Sequence, residues 1–331
     1  MYPSGLILLG YFLPKILTDL HFQRIDMFKL IIPTTENQLN KYYQFRWQML
    51  REPWRMPVGS ERDEYDVVSH HRMIVDSRGR PMAIGRLYIT PDNDGQIRYM
   101  AVKGNRRSKG MGSLVLVALE SLARQEGAKR LVCNAREDAI AFYEKNGFER
   151  RGELTDERGP VRHQQMVKPL DPMANVLRRP EWCTELQQRW EAQIPIADKM
   201  GIKINQYTGY QFECSAQLNP NLNPHNTMFA GSAFTLATLT GWGMTWLLLK
   251  ERGLHGDIVL ADSSIRYRHP VEQNPVASTS LDGISGDLDR LASGRKARIV
   301  IHVVIYSGDT PAVDFVGTYM LLPNYSQLLS C

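Results

Sequence analysis

The sequence predicts an α+β protein of two domains, and three observations predict it. The chain has 331 residues, more than one domain of common size. Its first half alternates strand-like and helix-like segments. Its second half places one long, almost wholly apolar helical segment among strand-like runs, and a helix apolar all round must be buried on all sides. Hydrophobic residues make up 43% and charged residues 23%, so either half can bury a core.

The elements follow in order. Residues 1–26 carry an apolar stretch at Gly5–Leu13, too short to span a bilayer and without the basic flank and cleavage site of a signal peptide. A disordered extension ahead of a start at Met27 is the favoured reading; a docking segment stays open. MFKLIIP (27–33) reads as a strand and TENQLNKYYQFRWQMLREPW (35–54) as a helix capped by Thr35. HRMIVDSRGRPMAIGRLYIT (71–90) reads as two strands around a turn at Ser77–Arg80, and QIRYMAV (96–102) as a third strand. GMGSLVLVALESLARQEG (110–127) is a helix ended by Gly127, RLVCNA (130–135) a short buried strand, and EDAIAFYEKNG (137–147) a helix. RHQQMVKPL (162–170) closes the first domain, set at 27–170, and DPMANVLRRP (171–180) reads as a linker. In the second domain, 181–331, EWCTELQQRWEAQ (181–193) is a helix and 202–218 a strand pair. An Asn/Pro loop then enters the long apolar helix, and runs at 258–268, 276–284, 297–307 and 312–322 read as strands.

The net charge of +5 suits an anionic ligand or an acidic partner and falls well short of a nucleic-acid-binding composition. Cys133, Cys183, Cys214 and Cys331 are scattered, with no CxxC pair, metal-ligand spacing or disulfide density. Reduced thiols in a cytoplasmic protein without a bound metal are the expectation.

In AVKGNRRSKGMGSLVLVALE (101–120) a strand ends, glycines allow tight turns, and a helix begins. Free N–H groups and the dipole at a helix N-terminus bind phosphate, and Arg106, Arg107 and Lys109 add countercharge. An ordinary polar strand–helix turn is the alternative, and no G-K-[ST] follows to make a P-loop. Arg107-x-x-Gly110-x-Gly112 after a strand, followed by NAREDAIAFYEKNGFE (134–149), resembles the GNAT acetyltransferases over roughly residues 27–170. The resemblance implies that the coenzyme A pyrophosphate rests on the amides of Arg107, Ser108, Lys109, Gly110, Met111 and Gly112. It implies further that the pantetheine arm pairs with Met100, Ala101 and Val102. Asn134 is a candidate pantetheine contact or a strand-end cap. Tyr143 is a candidate general acid for the departing thiolate or a packed aromatic. Glu61, Asp63, Glu64, His70 and His71 are candidate bases by location only, and the acceptor cannot be read.

The second half resembles the hotdog fold, a long helix wrapped by an antiparallel sheet. Joined to an acetyltransferase-like domain, NPHNTMFAGS, LATLTGWG, LADSSIRY and SGDLDRLASGRKAR are similar to the YiiD family along all but the first 26 residues. That resemblance implies a homodimer and action on acyl thioesters of coenzyme A or acyl carrier protein. Amides near Ala230, Gly231 and Ser232 would form an oxyanion site backed by the helix dipole, with Asn223, His225 and Asn226 orienting the acyl group. Turn and capping chemistry is the alternative for those three side chains. Residues 230–249 hold no carboxylate; Thr235, Thr238 and Thr240 are polar, and Asp262 is the candidate base nearest in sequence. Hydrolysis needs a base to activate water, whereas loss of CO₂ from a malonyl thioester needs a desolvated carboxylate and donors to an enolate. The resemblance to the YiiD family implies decarboxylation of malonyl-acyl carrier protein to the acetyl form in fatty-acid initiation, and the missing carboxylate fits that expectation better than hydrolysis. A thioesterase fused to an acetyltransferase and a non-catalytic acyl-CoA sensor remain open. Arg266, Arg268, Arg290, Arg295, Lys296 and Arg298 are candidate contacts to a coenzyme phosphate or an acidic carrier protein.

Overall fold

Thr35 starts the first helix as the sequence predicts. Its hydroxyl accepts from the Gln38 amide while the Gln38 side chain returns to the cap, a reciprocal capping box. A computed structural model describes residues 28–104, 110–155, 162–170 and 176–323. The expectations for residues 1–26, for Arg106, Arg107, Ser108 and Lys109, and for 171–175 lie outside those residues.

The first domain runs β1 (Phe28–Ile31), α1 (Glu36–Leu50), β2 (His70–Val75), β3 (Pro81–Ile89), β4 (Asp94–Val102), α2 (Met111–Gln125), β5 (Arg130–Arg136), α3 (Ile140–Lys145), β6 (Glu149–Thr155) and β7 (His163–Pro169). The strands order as β6-β7-β5-β4-β3-β2-β1. The side-chain period of two divides the core between the sheet's faces. Ile74, Leu87 and Ile97 pack with α2, whereas Met73, Val75, Ile84 and Ala101 pack with Tyr42 and Phe45 of α1. Strand β6 was not expected; its sequence, ERRGELT, is too polar to show apolar alternation.

The second domain runs α4 (Pro180–Gln193), α5 (Pro195–Lys199), β8 (Lys203–Tyr207), β9 (Gln211–Ser215), α6 (Ala230–Glu251), β10 (Asp257–Tyr267), β11 (Pro275–Ser280), β12 (Ile284–Gly286), α7 (Asp289–Ala292), β13 (Ala297–Ser307) and β14 (Thr310–Leu322). All of its ladder pairs are antiparallel, and strands β9, β10, β11, β13 and β14 pack on α6. Glycines let the helix sink into the sheet. A Cβ on Gly241 would lie 2.3 Å from the Tyr319 hydroxyl, and one on Gly243 2.8 Å from the Phe212 and Trp190 rings.

The two sheets are continuous. Phe28 pairs with Gly286 and Lys29 with Ser285, so β1 and β12 join the domains into one 14-stranded sheet. The 276–284 run expected as one strand is divided: Pro275–Ser280 forms β11 and Ile284 opens β12. The described part of the expected linker is held down, because the Arg178 amide donates to the Tyr207 carbonyl and the Tyr207 amide to that of Val176. The Arg178 side chain then reaches Asn146 at 3.2 Å and Glu251 at 3.4 Å, bridging the domains.

Candidate functional site

Two sites emerge, one per domain. In the first, β4 and β5 pair in parallel from Asp94–Gln96 to Arg130–Val132 and then part. Beyond Gln96 the β4 edge facing β5 has no ladder partner among the described residues, while its other edge still pairs with β3. Met100 and Val102 are half-buried on that open stretch and Ala101 is buried. An extended ligand chain can hydrogen-bond there as a strand does.

At the end of this opening, α2 begins without a side-chain cap. Gly110 is its N-cap at φ +77°, a conformation that favours glycine. Met111 is buried, and a Cβ on Gly112 would crowd Phe142 at 3.2 Å and Val102 at 3.4 Å. The first-turn amides of α2 thus stand uncapped by side chains in a tight, glycine-shaped bend, which suits a phosphate. Arg252 comes from the other domain to this bend; a Cβ on Gly110 would meet its side chain at 2.6 Å.

The remaining first-domain candidates scatter. Asn134 is exposed on β5, in register with Gln165. Tyr143 is buried among Phe142 and Phe148 with Cys133 as its hydrogen-bond partner, and burial pushes the phenol well above its ordinary range. Burial also raises the Cys133 thiol, to about 12. Glu61 is buried and accepts from the Gly59 amide at 2.7 Å, while Glu64 is exposed. His70 lies 3.8 Å from Glu126. Asp63 is taken up by Arg86, at 2.5 and 3.0 Å, and by the Tyr99 hydroxyl at 3.0 Å. Burial favours a raised Asp63 pKa, but the Arg86 hydrogen bonds and charge outweigh it and hold the carboxyl below its ordinary range. An acid so held is a poor proton acceptor. Asp63 is bonded by Arg86, Tyr99 and Asp66, and Asp66 in turn by Arg46, a cluster that no local motif in the sequence marks.

In the second site, the loop before α6 is built by its own side chains. Asn221 donates to the Met200 and Gln217 carbonyls. Asn223 accepts from the His225 and Thr227 amides at 2.8 and 3.2 Å and donates to the Thr227 hydroxyl at 2.9 Å. Its amide group is thereby spent on an Asx turn. His225 and Asn226 are exposed, and Asn226 sits at φ +61°. Phe229 is the N-cap of α6 and supplies no side-chain bond, so the helix starts with uncapped amides at Ala230, Gly231 and Ser232.

One stripe of α6 is half-open: Gly231, Phe234, Thr235, Thr238 and Trp242, at i, i+3/4, i+7 and i+11. The hydroxyls of Thr235, Thr240 and Thr245 bond back to carbonyls four residues earlier. The Thr238 hydroxyl has no hydrogen-bond partner among the described residues. Strand β10 runs beside this stripe, with the Tyr267 hydroxyl on the Ala230 carbonyl and the Trp242 indole on the Ile258 carbonyl. Asp262 is exposed midway along β10, roughly 16 Å by strand rise from Tyr267. Phe229 (55% exposed) and Tyr267 (48%) form an apolar rim at the helix start.

The basic residues divide into two groups. Arg266 and Arg268 flank Tyr267 near the start of α6, with Arg268 paired to Asp314. Arg290, Arg295, Lys296 and Arg298 lie at the far end of the sheet, where Arg290 donates to the Lys296 carbonyl. No described helix is long and apolar enough to cross a membrane.

Comparison with known proteins agrees with this division. The family described as "Acetyltransferase (GNAT) family" matches residues 39–148, and the one described as "Putative thioesterase (yiiD_Cterm)" matches 183–323. The uncharacterized N-acetyltransferase YjcF of Bacillus subtilis is 29% identical over 140 residues, 42% of this chain and 99% of that protein. A crystal structure from Shewanella oneidensis, described as a "putative thioesterase", is 39% identical, covers 44% of this chain and 99% of its own, and has a TM-score of 0.42.

Proposed function

Because the chain belongs to the YiiD family, a GNAT acetyltransferase domain joined to a thioesterase-like domain, we propose that the second domain decarboxylates malonyl-acyl carrier protein to acetyl-acyl carrier protein. The observation that carries this reading is the start of α6: uncapped amides above a half-open stripe with no carboxylate between Ala230 and Leu249. The malonyl carboxylate would lie over half-open Phe234, one turn into α6, where it loses solvation. Its carbon–carbon bond breaks, CO₂ leaves, and the electron pair moves into the thioester as an enolate. The α6 amides, with Asn226 beside them, would stabilise the enolate oxygen. Water then protonates the carbon, giving the acetyl thioester, and the hydroxide left combines with the released CO₂ as bicarbonate.

The first domain would bind acetyl-CoA through the α2 start and the open β4 edge, and acylate an acceptor amine. Tyr143 would return a proton to the thiolate. Exposed Arg266, next to the α6 entrance, would meet the acidic carrier protein. Strand β10 pairs with β14 alone among the described strands, so a second copy would pair along its free edge and cover the Phe229–Tyr267 rim. Free, buried Cys133, Cys183 and Cys214 accord with a cytoplasmic enzyme of fatty-acid initiation.

Hydrolysis is the second reading, favoured by the thioesterase family match, with Asp262 as base. The test is incubation with malonyl-carrier protein and malonyl-CoA, with products read by mass spectrometry. Acetyl-carrier protein supports decarboxylation; free malonate and free thiol replace it with hydrolysis. No turnover, with thermal stabilisation by ligand, would leave a sensor. Asp262→Asn should leave decarboxylation within about twofold, whereas hydrolysis dependent on this general base should fall by about 10²-fold or more.

A further inference from the structure

Helix α6 ends where helix α2 begins. Arg252 is the C-cap of α6, and its amide closes the last turn on the Leu248, Leu249 and Lys250 carbonyls. A cation suits the negative end of its own helix. The Arg252 side chain, however, crosses to the other domain. A Cβ on Gly110 would meet Arg252 Cδ at 2.6 Å and Nε at 3.2 Å, so this cation lies beside the positive end of α2. The side chain is 6% exposed, where water screens charge poorly. Gly110, Ser113, Leu288 and Arg252 line one cavity between the domains, of about 20 Å³, which holds a single water and no larger ligand. An anion meeting Arg252 would therefore lie across the α2 start, outside this cavity.

The second domain gathers more positive charge at the same place. Leu288 leads into α7, where Asp289 accepts from Arg252 at 2.6 Å. After α7 the chain turns back at Gly294, at φ +69°. Backbone bonds fix this turn: the Gly294 amide donates to the Leu291 carbonyl and the Arg295 amide to that of Arg290. The Arg290 side chain then donates to the Lys296 carbonyl at 3.0 Å. The turn thus presents Arg295 and Lys296 outward, both exposed and neither with an acidic partner among the described residues. Asp289 is already engaged by Arg252, so Arg290, Arg295 and Lys296 remain beside it in excess. Cations gathered against a helix N-terminus repel it, and a bound anion between them removes that cost.

We propose that the second domain completes the coenzyme site of the first: Arg252, oriented by Asp289, and the exposed Arg295 and Lys296 supply countercharge to the phosphates of a coenzyme A seated on the α2 start. This rests on the reading of the first domain as an acyl-CoA site. Arg252 lies against Gly110 itself and meets the pyrophosphate. Arg295 and Lys296 stand beyond α7, farther from the bend, and meet the 3′-phosphate. Guanidinium and ammonium groups bind phosphate oxygens through charge-assisted hydrogen bonds. The pairing of Phe28 with Gly286 and Lys29 with Ser285 holds the two domains in the register that this shared site needs. Coenzyme affinity is then a property of the joined chain rather than of the first domain alone.

Calorimetric titration of the full chain with coenzyme A and with dephospho-coenzyme A, which lacks the 3′-phosphate, tests it. The double variant Arg295→Gln/Lys296→Gln changes exposed side chains only, so the fold is retained. Its affinity for coenzyme A should fall about tenfold, while its affinity for dephospho-coenzyme A stays within about twofold of wild type. Arg252→Gln should lower the affinity for both ligands by about tenfold. Lys199→Gln/Lys203→Gln removes two exposed charges from the same domain, away from α7, and should change neither affinity. Unchanged coenzyme A affinity in Arg295→Gln/Lys296→Gln, an equal loss for both ligands in that variant, or the same loss in Lys199→Gln/Lys203→Gln overturns the proposal. Failure of the wild type to bind either ligand removes the acyl-CoA reading itself, and the proposal with it. If Arg252→Gln does not fold, Arg295→Gln/Lys296→Gln decides alone.

Discussion

Helices α2 and α6 both start without a side-chain cap, yet their starts are shaped for different anions. The α2 start is a glycine bend at Gly110, and Arg252 from the other domain packs against it. The α6 start follows a loop that Asn223 has already folded on itself, beside an apolar rim of Phe229 and Tyr267. A permanent phosphate charge is best met by a bend that lets backbone approach and by mobile cations. A transient enolate is best met by preorganised dipoles with little water near them. On the proposed function, the same backbone feature would serve binding in one domain and chemistry in the other.

The sharpest test of that contrast is at Asn226. Its positive φ gives it a possible backbone role, so alanine would confuse strain with a lost amide group. Asn226→Gly keeps the conformation and removes only the side chain. If that side chain stabilises the enolate, malonyl turnover should fall about 10²–10³-fold with an unchanged melting temperature. Turnover within twofold of wild type would assign Asn226 to the turn and leave the α6 amides alone as donors. Acetyl-CoA binding by the first domain should not change.

The α2 side of the contrast is broken at Gly110. Alanine there would hold φ +77° against its preference and push its Cβ to 2.6 Å from Arg252. Coenzyme A affinity should fall by about tenfold or more, read by calorimetry, while turnover of malonyl-carrier protein stays within twofold. Equal loss of both activities would mean that the Gly110–Arg252 contact holds the two domains together rather than shaping a phosphate site.

Much of this was legible in the sequence, and the failures have particular causes. The α6 helix stood out because it is apolar on every face, and the α2 bend because its glycines interrupt a strand–helix junction. Whether Asn223 faces a ligand or its own loop was not legible, since both uses need the same residue type. The cluster of Arg46, Asp66, Arg86 and Tyr99 was missed because its members meet only through the fold. A signal was available: Arg46 lies on the apolar face shared by Tyr42 and Phe45, and Arg86 interrupts PMAIGRLYI. A charge at a core position must find a partner. Strand β12 was missed because three residues carry no readable period.

The smallest predicted effect belongs to the edge of that cluster. His71 is buried against Tyr42 and Tyr43, and its Nε2 is 3.0 Å from the Asp66 carbonyl. Burial lowers its pKa below the ordinary 6.5, and the nearby charges of Arg46 and Arg86 act in the same direction, against Asp66. The folded protein therefore holds a neutral His71 at a pH where the unfolded chain has begun to take up a proton. Stability should be full above about pH 6.5 and should decline as pH falls toward the lowered pKa, by at most about 1.4 kcal/mol per pH unit for one site. Asp63 and Asp66, both held below the ordinary carboxylate range, keep their contribution through this window and lose it only in stronger acid. Melting curves at pH 7.5 and 5.5 should differ in the wild type, and the difference should shrink in His71→Gln, which keeps a donor for the Asp66 carbonyl. An equal difference in both proteins would assign the decline to another group and leave His71 a packing residue.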